Sequence, residues 1–383
     1  MLPYFAQQLL ASVKDTPWED PLSFLRLFRY ITFRSAAAAM TALVISLWLG
    51  PVLIAWLKRL RYGQDYVDKA EEAGGLAARM SKKGTPTMGG LLIVASMDLA
   101  AVLWAQPNVL VLLTLLSVLV FAGLGFYDDY AKITQQSNRG AKAWVKLVVQ
   151  FGLATFIACY LWRNPATRAL VEQVMIPFAK HPVATGMLGL SLGLLLTVFT
   201  IVGSSNAVNF TDGLDGLAIG CTLIVTVVFL VLTYIAGNFR LAGYLQVPYV
   251  DGAGELTVFC AAMMGAGLGF LWFNCHPAQV FMGDTGSLSL GGALGIIAVL
   301  IHQPLVLVIA GAVFVLETLS VMVQTSWFKY TRLRYGQGRR VFLMAPLHHH
   351  FEKLGWPETK VVTRFYILCF LCAVMALATL KIR

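Results

Sequence analysis

Asn206-Ala-Val-Asn-Phe-Thr-Asp-Gly-Leu-Asp-Gly-Leu217 is a polar island between two long apolar runs, 184–208 and 217–235. Its flanks can cross a membrane, since about 20 apolar residues span a bilayer core; the island itself cannot. It gathers two carboxylates (Asp212, Asp215), two carboxamides (Asn206, Asn209) and two glycines within twelve residues. Gly213 and Gly216 allow backbone to approach a ligand closely. A turn between helices needs a Gly or an Asn, not four polar side chains. The stretch therefore reads as a binding element for a cation, a sugar or a nucleobase.

The rest of the composition agrees with a chain built around membrane spans. Of 383 residues, 58% are hydrophobic and 13% charged, with a mean hydropathy of +0.72. Soluble domains carry roughly 45–50% apolar and about 25% charged residues, so a soluble globular fold is excluded and the lipid bilayer is the first partner. The net charge of +10 sits in the loops, as the positive-inside rule requires, and does not indicate nucleic-acid binding. Six cysteines lie mostly inside apolar runs. Cys369-Phe-Leu-Cys372 has no partner pair, so neither a zinc site nor a disulfide framework is expected. Residues 1–30 lack a basic start followed by an apolar core, and no cleavable signal peptide is expected.

Ten spans satisfy the length criterion: 35–57, 87–104, 109–127, 146–162, 184–208, 217–235, 256–273, 288–302, 304–325 and 361–380. The expected fold is an all-α polytopic membrane protein, with residues 1–34 as an N-terminal extracytoplasmic segment and 35–383 as one ten-helix domain. Loops 58–86, 128–145, 209–216, 274–287 and 326–360 hold 17 Lys and Arg against 10 on the other side, which places these five loops in the cytoplasm. Arg26, Arg29 and Arg34 pull the other way. Asp128, Asp129, Asp212, Asp215 and Asp284 all open onto the cytoplasmic mouth in this topology. A carboxylate at mid-bilayer costs about 2.5–3.5 kcal/mol, so acids kept at span ends need a reason. A hard divalent cation supplies one, because Mg²⁺ is held by one or two carboxylates plus substrate phosphate.

Three further loops carry chemistry. Ser81-Lys-Lys-Gly-Thr-Pro-Thr-Met-Gly-Gly90 offers Lys82 and Thr85 to a phosphate. Asn274-Cys-His-Pro-Ala-Gln-Val-Phe-Met-Gly-Asp-Thr-Gly-Ser287 offers Asn274 to hydrogen-bond a base, Phe281 to stack on it and Asp284 to hold a metal. His348, His349 and His350 follow a basic stretch, Arg332 to Arg340, and can donate protons or hydrogen bonds to a diphosphate. Glu317, inside the ninth span, reads as a structural residue paired to a neighbouring helix, and Asp98 has no assigned role. Clustered intramembrane acids also mark cation-coupled transporters, but here they gather at one mouth instead of the midplane.

Lys82-Lys-Gly-Thr-Pro-Thr-Met-Gly-Gly90, Asp128-Asp-Tyr130, Asn206 to Leu217, Phe281-Met-Gly-Asp284 and Pro346-Leu-His-His-His-Phe-Glu-Lys-Leu-Gly-Trp356 resemble, in order, the motifs of the phospho-N-acetylmuramoyl-pentapeptide-transferases. Residues 1–34 correspond least. The resemblance implies transfer of phospho-MurNAc-pentapeptide from UDP-MurNAc-pentapeptide to undecaprenyl phosphate, giving lipid I and UMP. It also implies Mg²⁺ dependence, a bacterial cytoplasmic membrane, a cytoplasmic-face cleft and a homodimer. By motif match, Asp284 is the Mg²⁺ ligand, and Asp128 and Asp129 lie at the lipid phosphate or metal. Lys82, Thr85, Asn206, Asn209, Asp212, Asp215, Asn274 and Phe281 line the donor site, and His348 to His350 belong to the catalytic set. The acid motifs are shared with the wider polyprenyl-phosphate N-acetylhexosamine-1-phosphate transferases, so a GlcNAc-1-phosphate transferase is the alternative reading.

Overall fold

The computed structural model describes residues 1–14, 17, 19–60, 84–134, 140–179 and 181–380. Among them the regular structure is helical, apart from one isolated antiparallel bridge between Val174 and Ala184. In lipid a backbone must satisfy its own hydrogen bonds, and the long apolar runs do so as helices. In chain order these are α1 (Leu2–Ser12), α2 (Ile31–Leu60), α3 (Gly90–Trp104), α4 (Val109–Thr134), α5 (Ala143–Arg163), α6 (Ala169–Glu172), α7 (Gly186–Thr211) and α8 (Leu217–Ala236). Then follow α9 (Phe239–Leu245), α10 (Gly254–Asn274), α11 (Gly283–Leu300), α12 (Pro304–Ala310), α13 (Ala312–Tyr335), α14 (Leu347–Lys353) and α15 (Glu358–Ala378).

Eight of these are long and apolar enough to cross a membrane: α2, α4, α5, α7, α8, α10, α11 and α15. The expected ninth span, 304–325, is a bent pair, α12 and α13, turned by 84° at Gly311. The expected second span is α3, whose 15 residues rise only about 22 Å. Among the described residues eight or nine helices thus meet the length and apolarity of a full span, because apolar length alone does not register a sharp bend or a short helix.

Helix α11 runs through the centre, enclosed along nearly its whole length. Between apolar helices in lipid, close contact replaces the hydrophobic drive, and small residues permit it. A Cβ on Gly291 or Gly295 would overlap Ser204 of α7, one on Gly292 would overlap Phe121 of α4, and one on Gly90 would overlap the Gly286 backbone. The α2–α10 seam follows the same rule, with Gly265 against the Ala39 carbonyl.

Arg34, which opposed the charge-derived orientation, proves to be a buried structural residue. Its guanidinium donates to both oxygens of Glu255 at 2.6 and 2.7 Å, and Glu255 also accepts from the Gln106 backbone N–H at 2.8 Å. The pair joins α2, α10 and the α3–α4 connection. Removing one partner of a buried pair strands the other and costs about 3–5 kcal/mol, whereas replacing both with apolar groups is often neutral. Scanning fluorimetry in detergent should therefore show Glu255→Gln melting well below an Arg34→Met/Glu255→Met double variant. A double variant melting below the single one would contradict this account.

Candidate active site

Four of the five acids assigned to the cytoplasmic mouth, Asp128, Asp129, Asp212 and Asp284, come together where α4 ends and α11 begins. Gly283, at φ +72°, opens α11 and places Asp284 in its first turn. Gly125 lets α4 come close, since a Cβ there would overlap the Asp284 carbonyl. Asp129 then occupies the α11 N-terminus. It accepts from the Asp284 N–H at 3.1 Å, the Thr285 N–H at 3.0 Å and the Thr285 hydroxyl at 2.8 Å. An anion there satisfies unpaired N–H groups and meets the positive end of the helix dipole.

Asp128 faces the other way. It accepts from the Ala141 N–H at 2.7 Å and pairs with Lys132 at 2.5 Å and Lys146 at 2.9 Å. The same two lysines reach Asp284, at 3.3 Å for Lys132 and 2.5 Å for Lys146. Asn209 on α7 donates to Asp284 at 3.0 Å and to the Ser287 hydroxyl at 2.8 Å. Oxygens of Asp128, Asp129 and Asp284 lie within 4.8 Å of one another. An all-oxygen donor set of this kind suits Mg²⁺ or Mn²⁺.

Asp212, in the α7–α8 turn, belongs to the same field. Burial, with the charges of Asp284 and Asp129, pushes its carboxyl up to about 8, against the opposing Gly283 N–H and Lys132. Four carboxyl groups thus share two ammonium groups, and Asp212 holds its proton at neutral pH. The donor set fits a dication, whose charge would make good the shortfall.

Other expected site residues satisfy one another. Asp215 Oδ2 accepts from the Ala278 N–H at 3.1 Å and stands 3.1 Å from His276 Nδ1, while the Asp215 N–H donates to Glu358 at 2.7 Å. Asn274 is buried, accepting from the Gly216 N–H at 3.0 Å and donating to the Val280 carbonyl at 2.8 Å. Both residues shape the 212–216 turn from within. Asn206 points along α7 and towards α5, donating to Gln150 at 2.8 Å and to the Val202 carbonyl at 2.8 Å. Thr85 is buried and donates to the Ala278 carbonyl at 3.3 Å. Its loop runs alongside the Phe281 stretch, with Phe281 N–H to Pro86, Gly89 N–H to Phe281 and Gly90 N–H to Met282 at 2.8–2.9 Å. The Phe281 ring is half-buried. Lys82 lies outside the described residues.

The histidine run splits three ways. His348 is enclosed with Nδ1 3.2 Å from Glu317 Oε2, His349 Nδ1 stands 2.7 Å from Glu352, and His350 Nδ1 accepts from the Leu343 N–H at 3.1 Å. Glu317 is thus a paired structural residue, its partner lying on the short helix α14. Nothing in the structure explains Asp98. Sequence reading passed over Lys132 and Lys146. Lys132 sits four residues after Asp128, a spacing that pairs charges on a helix. Lys146 carried a weaker signal, a lone cation at the start of an apolar run.

Binding of a dication among these carboxylates should expel the Asp212 proton, because a neighbouring positive charge favours the ionised form. Titration calorimetry of MgCl₂ into purified protein near pH 7, repeated in buffers of different ionisation enthalpy, should report release of about one proton. Asp212→Asn should abolish that release, and a variant that still expels a proton would remove Asp212 from the field.

Comparison with known proteins identifies the family. Residues 111–302 match the model of glycosyl transferase family 4, and residues 82–94 match phospho-N-acetylmuramoyl-pentapeptide-transferase signature 1. The chain is 50% identical to the phospho-N-acetylmuramoyl-pentapeptide-transferase of Opitutus terrae over 370 residues, 95% of this chain and 98% of the relative. It is 47% identical to that of Syntrophus aciditrophicus over 369 residues, covering 96% and 98%. The protein of the same name from Methylacidiphilum infernorum is also 47% identical, over 363 residues covering 94% and 97%. With matches of this length and identity, the chain belongs to the phospho-N-acetylmuramoyl-pentapeptide-transferase family.

Proposed function

We propose that this protein transfers phospho-MurNAc-pentapeptide from UDP-MurNAc-pentapeptide to undecaprenyl phosphate, releasing UMP and forming the first lipid-linked intermediate of peptidoglycan synthesis. The observation that carries the reading is the meeting of Asp128, Asp129, Asp284, Lys132 and Lys146 at one helix N-terminus. The site faces the cytoplasm of a bacterial inner membrane in this reading, with residues 1–34 on the far side, and the protein works as a homodimer.

The acceptor phosphate forms a P–O bond to the donor's sugar-linked phosphorus, and the bond from that phosphorus to the UMP oxygen breaks. One phosphoanhydride is lost and one gained, so the protein's task is positioning and charge neutralisation. A phosphate monoester has a second pKa near 6; the acceptor is largely dianionic at neutral pH and needs no general base. Mg²⁺, when bound, neutralises diphosphate charge. Asp128 and Asp284 would hold it, and Asp129 keeps Asp284 in place. Lys132 and Lys146, which reach both Asp128 and Asp284, would pair with phosphate oxygens of the substrates. Phe281 stacks on the uracil. His348 to His350 support the site beside the Asp212 turn.

The discriminating assay is exchange of labelled UMP into the nucleotide-linked donor by detergent-purified protein, which a transferase performs and a carrier does not. Exchange should require added Mg²⁺ or Mn²⁺ and stop in excess EDTA. UDP-MurNAc-pentapeptide should serve as donor and UDP-GlcNAc should not; turnover of UDP-GlcNAc alone would move the protein to the GlcNAc-1-phosphate branch.

Stacking on a base is worth about 1–3 kcal/mol and acts equally on substrate and transition state. Phe281→Ala should therefore raise the donor KM about 5- to 150-fold at nearly constant kcat. A large kcat loss at unchanged KM would contradict stacking.

A further inference from the structure

The enclosed ring of His348 is wedged between two groups on different elements. On one side is Glu317 of α13, itself fully buried. Glu317 Oε1 accepts the His348 backbone N–H at 3.2 Å, and Oε2 stands 3.2 Å from His348 Nδ1. Nδ1, Nε2 and Oε2 are all buried without a hydrogen-bond partner, so Nδ1 and Oε2 meet as an electrostatic pair, and a carboxylate at that place favours a proton on Nδ1. On the other side is Gly213, where a Cβ would overlap Nε2 and lie 2.8 Å from Cε1. His349 closes a third side, its ring 4.2 Å away at 62°. Burial pulls the His348 pKa down against the charge of Glu317, so the ring is neutral and its tautomer matters. The ring is fully enclosed, so contact with a diphosphate would require it to move.

We infer that Glu317 and His348 form a buried positioning pair: Glu317 fixes the tautomer and orientation of the ring, and the ring props Gly213 and thereby holds Asp212 at the acidic cluster. His348 then serves the reaction through the 212–216 turn and not by contact with the diphosphate. The inference rests on the transferase reading for its kinetic assay, while its geometry stands apart from it. It also accounts for a glycine at 213. Gly213 has no positive φ, so its missing side chain answers to the ring and not to backbone strain.

The test uses the two amides that imitate one ring nitrogen each. Asn places its carboxamide nitrogen where Nδ1 sits, and Gln places its own where Nε2 sits. UMP exchange by the purified full-length chain is measured for His348→Asn and His348→Gln, beside Gly213→Ala, His348→Ala and their double variant. Loss of a supporting hydrogen-bond partner typically lowers activity about 10- to 100-fold. The positioning role requires His348→Asn to keep more kcat than His348→Gln, and requires the double variant to exceed both single alanine variants, since the new methyl occupies space the ring has left. His348→Gln equal to or above His348→Asn, or a double variant no better than His348→Ala, would overturn it. Should the parent itself show no exchange, the transferase reading fails, and the Mg²⁺-induced thermal shift, which needs no turnover, tests the same two orders.

Discussion

The carboxylate of Asp129 against the first turn of α11 is the contact on which the site depends. Three donors from Asp284 and Thr285 converge on it, so a helix buried at the centre of the bundle ends on an anion supplied by a neighbouring helix. Without that anion the N–H groups of Asp284 and Thr285 would be left buried and unpaired, at a cost of about 1–3 kcal/mol each. The same contact fixes where Asp284 begins its side chain. Successive residues on a helix point about 100° apart, so Asp128 cannot share the cap and is turned towards Lys132 and Lys146. Two adjacent and chemically identical residues thereby take different work, one capping α11 and one paired with the two lysines.

Glycine makes this convergence possible, and electrostatics makes it stable. Gly125 and Gly90 bring α4 and α3 onto the start of α11 at backbone contact; larger residues there would open the distance between the acids. Repulsion among carboxylates is met by two lysines and by protonation of Asp212. Such a site is held together while remaining short of positive charge, a condition that invites a dication and a diphosphate together. Arg34 and Glu255, at a distant part of the bundle, solve the opposite problem: their charges offset each other within the pair.

Much of this was legible in the chain. Apolar length marked the spans, and the polar island 206–217 marked the turn between α7 and α8. The acids stood out because carboxylates at span ends are costly without a ligand. Lys132 was readable in principle from its spacing to Asp128. The inward turn of Asn206, Asn274 and Asp215 was not, because a sequence names a polar group without naming its partner; each found one within the protein. The 84° bend after Ala310 was equally hidden, since an apolar run scores the same whether it is straight or broken.

The sequence by itself determined that the chain is helical, lies in a membrane, and carries acids at the ends of its spans, because hydropathy and the cost of burying charge are local quantities. Its motif order was enough to point to the family. Tertiary structure alone decided which acid caps a helix and which pairs with the two lysines, that Lys132 and Lys146 bridge Asp128 to Asp284, and that His348 is locked between Glu317 and Gly213. Those outcomes depend on helix rotation and on contacts between residues as much as 156 positions apart, which only packing can set.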